Sequence, residues 1–142
     1  MPNLDPAHLA AARTNTQTNL LALRNVVATI GTSSTKEQLI STLDQIIHGL
    51  DAQIEKLDTE SVTTGLENAG PSQVGCERLL KKALGVLDDN YKALLAKIKA
   101  TTNAQQLQIE KQQLHTLDLQ MAKAEGDYVT CCSRPLVLHP PM

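Results

Sequence analysis

The sequence predicts an all-α protein, an antiparallel bundle of about four amphipathic helices with an extended C-terminal tail. Apolar residues recur at helical spacing through most of the chain, and no segment shows the alternation of a strand. The chain of 142 residues contains no Trp, no Phe and only two Tyr, so its core is aliphatic and suits helix packing. Because each apolar stripe needs another to cover it, we expect a bundle over 1–130 and a tail over 131–142.

The first predicted helix begins at Asp5, a good N-cap, with Pro6 at the first helical position. Gly31 is a natural stop. Polar residues of weak helix propensity fill 14–19, so we expect the N-terminal half to be the less securely packed. The predicted stripe is Leu9, Thr16, Leu20, Leu23, Val27 and Ile30.

The second predicted helix begins with Ser34 and Glu37, which have the spacing of a capping box. Its apolar residues then alternate strictly by 3 and 4, a pattern typical of a helix packed lengthwise against another. Gly70-Pro71 closes the segment. The predicted stripe is Ile40, Leu43, Ile47, Leu50, Ile54 and Leu57.

The third predicted helix starts near Ser72, and its register fails at 101–103. We predict a tight turn there, with Asn103 or Thr102 capping a fourth helix that ends at Gly126; one long helix with a stutter is the alternative. We expect the Tyr91 ring in the core, with its hydroxyl at the edge. The two stripes are Leu80, Leu84, Leu87, Tyr91, Leu94 and Ile98, then Leu107, Leu114, Leu117, Met121 and Ala124.

Charge indicates which helices are neighbours. Residues 34–68 carry two lysines against seven acids, whereas 72–100 carry six basic residues against three acids. An antiparallel pair of helices two and three sets these flanks together, which selects partners more than it stabilises. The acids that repeat every seven residues beside the stripe are Glu37, Asp44, Asp51 and Asp58.

The three cysteines, Cys76, Cys131 and Cys132, fit neither a disulfide framework nor a spaced zinc site. We expect reduced thiols, with Cys76 a small buried hydrophobe rather than a reactive thiol. Cys131 and Cys132 are expected unmodified on the tail, with acylation as the alternative. No basic segment followed by an apolar run opens the chain, which favours a cytoplasmic protein or one exported without a cleaved signal peptide.

Composition argues against several functional classes. A net charge of -2 and a lack of stacking aromatics argue against nucleic-acid binding, and no apolar run is long enough for stable membrane insertion. Nucleophile-elbow, phosphate-loop and dinucleotide motifs are absent, so we predict no enzyme, catalytic residue or cofactor. Asp44, His48 and Asp51 share one helical face, as do His115 and Asp118, but we expect solvated charges there rather than a metal.

The tail carries the candidate partner-binding residues Leu136, Val137 and Leu138, an apolar run between prolines. Such a segment fills a groove or adds to a partner's sheet edge, unless it folds on its own bundle or stays disordered. The predicted function is a non-enzymatic protein-protein interaction module: an adaptor, secretion-associated or effector-like protein. The alternative is a self-associating assembly subunit of a virion or secretion apparatus, and a third hypothesis is a metal- or small-ligand-binding bundle.

Overall fold

A computed structural model describes residues 6–63 and 71–133, and the predicted all-α bundle is confirmed. Four helices, α1 (Pro6–Val27), α2 (Lys36–Thr63), α3 (Pro71–Ala100) and α4 (Ala104–Cys132), account for nearly all of the described residues, which contain no strand. None of these four helices is both long and apolar enough to cross a membrane.

The helices follow one another around the bundle in chain order. Each packs against its neighbours in sequence, and α1 also packs against α4. The connections 28–35 and 101–103 lie at one end, here called the connection end. At the other end, the terminal end, α1 begins and α4 finishes. Short connections make consecutive helices antiparallel, as the sequence predicted.

The α3 stripe is buried as predicted, from Leu80 to Ile98. Tyr91 is completely buried, and its hydroxyl lies in the interior without a hydrogen-bond partner rather than at the edge. The Leu114, Leu117 and Met121 positions of α4 complete the opposite wall. Aliphatic side chains from all four helices therefore meet in a single core.

The buried stripe of α2 differs from the predicted one at alternate positions. Ile40, Ile47 and Ile54 lie at its edge, only partly buried. The leucines at 43, 50 and 57 can pack with either of two flanking rows, 39/46/53 or 40/47/54. The apolar pattern indicated the second row because Gln53 interrupts the first. The observed stripe is Leu39, Leu43, Ile46, Leu50, Gln53 and Leu57.

The capping box of α2 is one residue later than predicted. The Thr35 amide donates to Gln38 Oε1 at 2.8 Å, and the Gln38 amide donates to Thr35 Oγ1 at 3.2 Å. Ser34, predicted to pair with Glu37, instead accepts a hydrogen bond from the Gly31 amide at 3.0 Å. Two overlapping sequences fit the same motif, and the turn after α1 selects between them.

The predicted break between the third and fourth helices is confirmed. The Asn103 side chain accepts a hydrogen bond from the Gln106 amide at 2.7 Å and caps α4. A single long helix is therefore wrong. The predicted stop at Gly126 is also wrong, because α4 continues to Cys132. Its glycine lies on an exposed face where a Cβ would meet nothing within 4 Å, so packing gives no reason to stop there.

The N-terminal half of α1 is buried through polar groups. Thr16 is fully buried, and its hydroxyl donates to the Ala12 carbonyl at 2.9 Å. Gln53 of α2 donates to Thr16 Oγ1 at 3.2 Å and accepts from Asn19 at 2.9 Å. These bonds satisfy the polar groups that the α1–α2 contact removes from water.

The predicted pairing of acidic α2 with basic α3 is confirmed at two of the four repeating acids. Lys81 Nζ contacts Asp58, and Lys92 Nζ lies 3.4 Å from Asp51. All four side chains are about half exposed, so these ion pairs guide helix pairing and contribute little stability.

Candidate interaction surface

Large apolar side chains face solvent along the outer side of α3. Leu79 is 67% exposed and Val86 is 56% exposed, and the two lie one heptad apart on the same helical face. Neither belonged to a predicted stripe. The signal was present in the sequence as two surplus apolar residues beside the α3 stripe, but periodicity alone does not separate such a flank from the core.

A depression of about 210 Å³ lies between α3 and α4 next to Leu79. The depression exists because Ala83 on α3 and Ala124 on α4 have short side chains, which leave room between bulkier neighbours. Asp127 supplies the charge at its edge. This α3–α4 groove is lined by Cys76, Leu79, Leu80, Ala83, Ala124, Asp127, Tyr128 and Cys131.

A disulfide between Cys76 and Cys131 joins α3 to α4 within the groove, with the Cα atoms 5.8 Å apart. The expectation of reduced thiols is therefore wrong for this pair, although Cys76 is buried as predicted. Sequence spacing did not reveal that the first turns of α3 oppose the last turns of α4. Cys131 and Cys132 belong to α4 rather than to the tail, and Cys132 is a half-buried free thiol.

A buried ion pair links α1 to α3 at this end. Arg13 Nη2 lies 2.6 Å from Glu77 Oε1, and Arg13 Nε donates to both carboxylate oxygens at 3.2 and 3.3 Å. Each side chain is only 10% exposed. Burial lowers the pKa of Arg13, but the Glu77 carboxylate more than offsets this and leaves that pKa above its ordinary value.

The Tyr128 hydroxyl and the Cys132 thiol, which lie near this ion pair, stay protonated near neutral pH. Burial raises the pKa of the Tyr128 hydroxyl, and the Glu77 charge raises it further. Burial also raises the pKa of the Cys132 thiol, although Arg13 and Tyr128 act in the opposite direction. Because the thiolate is the nucleophilic form, Cys132 lacks the electrostatics of a reactive cysteine.

A second cleft, of about 280 Å³, lies between α3 and α4 nearer the connection end. Polar and apolar side chains line it together: Asn90, Ala93, Leu94, Lys97, Gln113, Thr116 and Leu117. The outer surface thus changes along its length from an apolar groove to a cleft of mixed lining. An apolar ligand gains most by lying at the terminal end.

The candidate metal ligands form ion pairs or are exposed to solvent. Asp51 pairs with Lys92, and Arg24 Nε lies 3.7 Å from Asp118. His48 and His115 are exposed. Within residues 6–63 and 71–133, no group of three or more His, Cys, Asp or Glu side chains is arranged to hold a metal ion.

Two carboxyl groups meet on the α2–α3 contact. Asp88 is buried on α3, where its carboxyl interacts with that of Asp51 on α2 and its Oδ1 has no hydrogen-bond partner. Burial and this neighbouring carboxyl raise the pKa of Asp88 to about 6, despite Lys92 at 3.0 Å. The interaction with Asp88 lowers the pKa of Asp51. The pair therefore changes protonation in mildly acidic solution.

The predicted partner-binding residues Leu136, Val137 and Leu138 lie outside the described residues. Their segment follows directly on Ser133, whose amide donates to the Val129 carbonyl at 3.0 Å and ends α4. Helix α4 thus ends one residue after Cys131, which lines the groove.

Comparisons with known proteins give no information about what the groove binds, so its lining residues are the basis for interpretation. No protein-family model, no curated protein and no solved structure matches the chain. The groove presents aliphatic carbon, a disulfide, one phenol and one carboxylate. Such a surface binds apolar side chains by excluding water.

Proposed function

We propose that this protein is a non-enzymatic interaction module that binds an apolar segment of a partner protein in the α3–α4 groove. The proposal depends on the exposure of Leu79, which lines the groove, and of Val86, one heptad further along α3. Full burial of one such side chain contributes about 1.5–3 kcal/mol, so Leu79 and Val86 both favour the binding of an apolar segment.

A disulfide and an ion pair at the terminal end support this function because they hold the groove in shape before a partner binds. The Cys76–Cys131 disulfide ties its two walls together, and the Arg13–Glu77 ion pair fixes α3 from behind. A preformed site loses little conformational entropy on binding. The matching partner segment presents aliphatic side chains to Ala83 and Ala124 and a basic residue to Asp127.

The alternative, an assembly subunit, uses the same surface differently. Stripes from all four helices are buried against one another in one chain, so an assembly contact would fall on the exposed α3 face rather than on the stripes. Light scattering over a wide concentration range separates the two. A constant mass near 15.4 kDa favours the module. A multiple of that mass, lost in Leu79→Asp, favours assembly.

The decisive experiment compares three full-length baits in an extract of the native host: wild type, Leu79→Asp and Leu119→Asp. Leu119 is the matched control, because it is 70% exposed on α4 and does not line the groove. We expect proteins recovered by wild type and Leu119→Asp to be lost with Leu79→Asp. Equal recovery by all three baits contradicts the proposal, and so does a lack of recovered protein both with wild type and with Val137→Asp, which makes the apolar run 136–138 polar.

A further inference from the structure

We infer that the chain's own C-terminal segment, 134–142, docks in the α3–α4 groove and places its apolar run 136–138 over Ala83 and Ala124. The consequence for partner binding rests on the proposed function, because the docked segment then competes with the partner. The groove and the segment are neighbours: α4 ends at Cys132, and Cys131 is part of the groove lining.

The segment has the required length. Its nine residues span up to ~30 Å when extended. From Leu79 to Val86 the α3 axis rises only about 10 Å. Residues 136–138 lie three to five positions beyond Ser133 and so reach about 10–17 Å from it. Ala124 lies about 13 Å back along the α4 axis from Ser133, which places it within that reach.

Prolines suit the segment to this site. Pro135 disfavours helical backbone at Arg134, so the sequence itself ends the helix and directs the chain into an extended path. Pro140 and Pro141 restrict the far side of the apolar run in the same way. Prolines carry no amide proton that needs a partner, and their restricted backbone reduces the entropy lost on docking.

Charge is complementary at the point where the segment leaves the bundle. Arg134 is the first residue after the described chain, and 134–142 contains no acid. Asp127 is exposed at the groove, about two turns of α4 earlier.

Covalent attachment makes the segment a strong competitor. Because the segment is attached to α4, its effective concentration at the groove lies in the mM range, so docking with a Kd below this range keeps the groove covered. A partner must then offer either higher affinity or a second contact. Exchange of the segment between two copies would instead produce a dimer through the same groove.

Photo-crosslinking in the full-length chain tests this docking. Val137 is replaced by p-benzoylphenylalanine, and an equal mixture of ¹⁵N-labelled and unlabelled protein is irradiated and analysed by mass spectrometry. We expect crosslinks within single chains, to residues 79–86 or to Ala124. Leu79→Asp should reduce their yield about tenfold, as loss of one buried apolar contact predicts, whereas Leu119→Asp should leave it unchanged.

Two results overturn the inference: crosslinks that map away from the groove, and groove crosslinks of which about half join a labelled to an unlabelled chain, as random pairing of two copies requires. The second result identifies another copy as the occupant. Failure here is distinguishable from failure of the proposed function. Loss of groove crosslinks with selective partner recovery intact overturns self-docking alone. Intrachain crosslinks with no partner recovered, even by a Val137→Asp bait whose segment no longer covers the groove, overturn the proposed function alone.

Discussion

The two ends of the bundle are held together by different interactions. At the terminal end, the Cys76–Cys131 disulfide and the Arg13–Glu77 ion pair connect side chains of different helices. At the connection end, lysine side chains reach backbone carbonyls: Lys36 Nζ donates to Thr101 O at 2.8 Å and to Lys99 O at 3.1 Å, and Lys111 Nζ donates to Thr32 O at 2.7 Å.

The difference follows from where the chain itself joins the helices. Connections of a few residues already tie α1 to α2 and α3 to α4 at the connection end, so side chains there satisfy the carbonyls left open as helices end. Glu110, fully buried at this end, accepts hydrogen bonds from Thr101 Oγ1. At the terminal end, the disulfide joins α3 to α4 and the ion pair joins α1 to α3.

The largest expected effect is loss of the disulfide. Cys76→Ser should lower the free energy of unfolding by about 4 kcal/mol, because the bond closes a loop across a sequence separation of 55. Urea unfolding under non-reducing conditions measures it. Cys132→Ser is the matched control and should change stability little, since Cys132 is a free thiol. Equal free energies of unfolding for both variants would show that the disulfide does not stabilise the terminal end.

Loss of the buried ion pair ranks second. Arg13→Ala should destabilise the protein by about 3 kcal/mol, because the Glu77 carboxylate is left buried without its partner. The double variant Arg13→Met with Glu77→Leu should recover most of this loss, as apolar side chains need no partner. Thermal unfolding of the three proteins measures the difference, and a double variant as unstable as Arg13→Ala would contradict the explanation.

A smaller effect is expected at the connection end. Lys111→Met should cost about 1.5 kcal/mol, because it removes a charged hydrogen bond to the Thr32 carbonyl while keeping an apolar stem. Hydrogen exchange should quicken in the α1–α2 connection and stay unchanged around Cys76. Lys123→Met, an exposed lysine of α4, is the control. Faster exchange at both ends alike would show that the ends are not independent.

The smallest effect lies between the two ends and depends on pH. Because the pKa of Asp88 is about 6 in the folded state and about 4 in an unfolded chain, the folded protein retains this proton longer. Its contribution to stability is complete below pH 4 and is lost as pH rises through 6. Asp88→Asn should remove this dependence and add about 1 kcal/mol above pH 7.

Chemical unfolding at a series of pH values checks that prediction. Asp51 opposes the trend, since its lowered pKa gives stability that is lost as the solution becomes acidic, but the exposure of Asp51 makes that contribution small. Asp89→Asn changes an exposed neighbouring acid and is the control. A wild-type curve that rises between pH 4 and 7 would contradict the assignment.

Local signals in the sequence were enough for the elements themselves. The α3 stripe and the Asn103 cap were predicted correctly because each depends on residues within a few turns of one another. The α2 stripe was partly wrong because Gln53 is buried through hydrogen bonds with α1, which no local pattern reports. The candidate groove was missed for the same reason: its walls, Ala83 and Ala124, come from different helices.

The sequence by itself determined that this chain forms four amphipathic helices with a break at 101–103, because spacing and capping act over one or two turns. Only the tertiary structure decided which flank of α2 is buried, which cysteines pair and that Arg13 meets Glu77. These contacts join positions 55 and 64 residues apart. They depend on how each helix is rotated about its axis when the core closes, and packing of all four helices together sets that rotation.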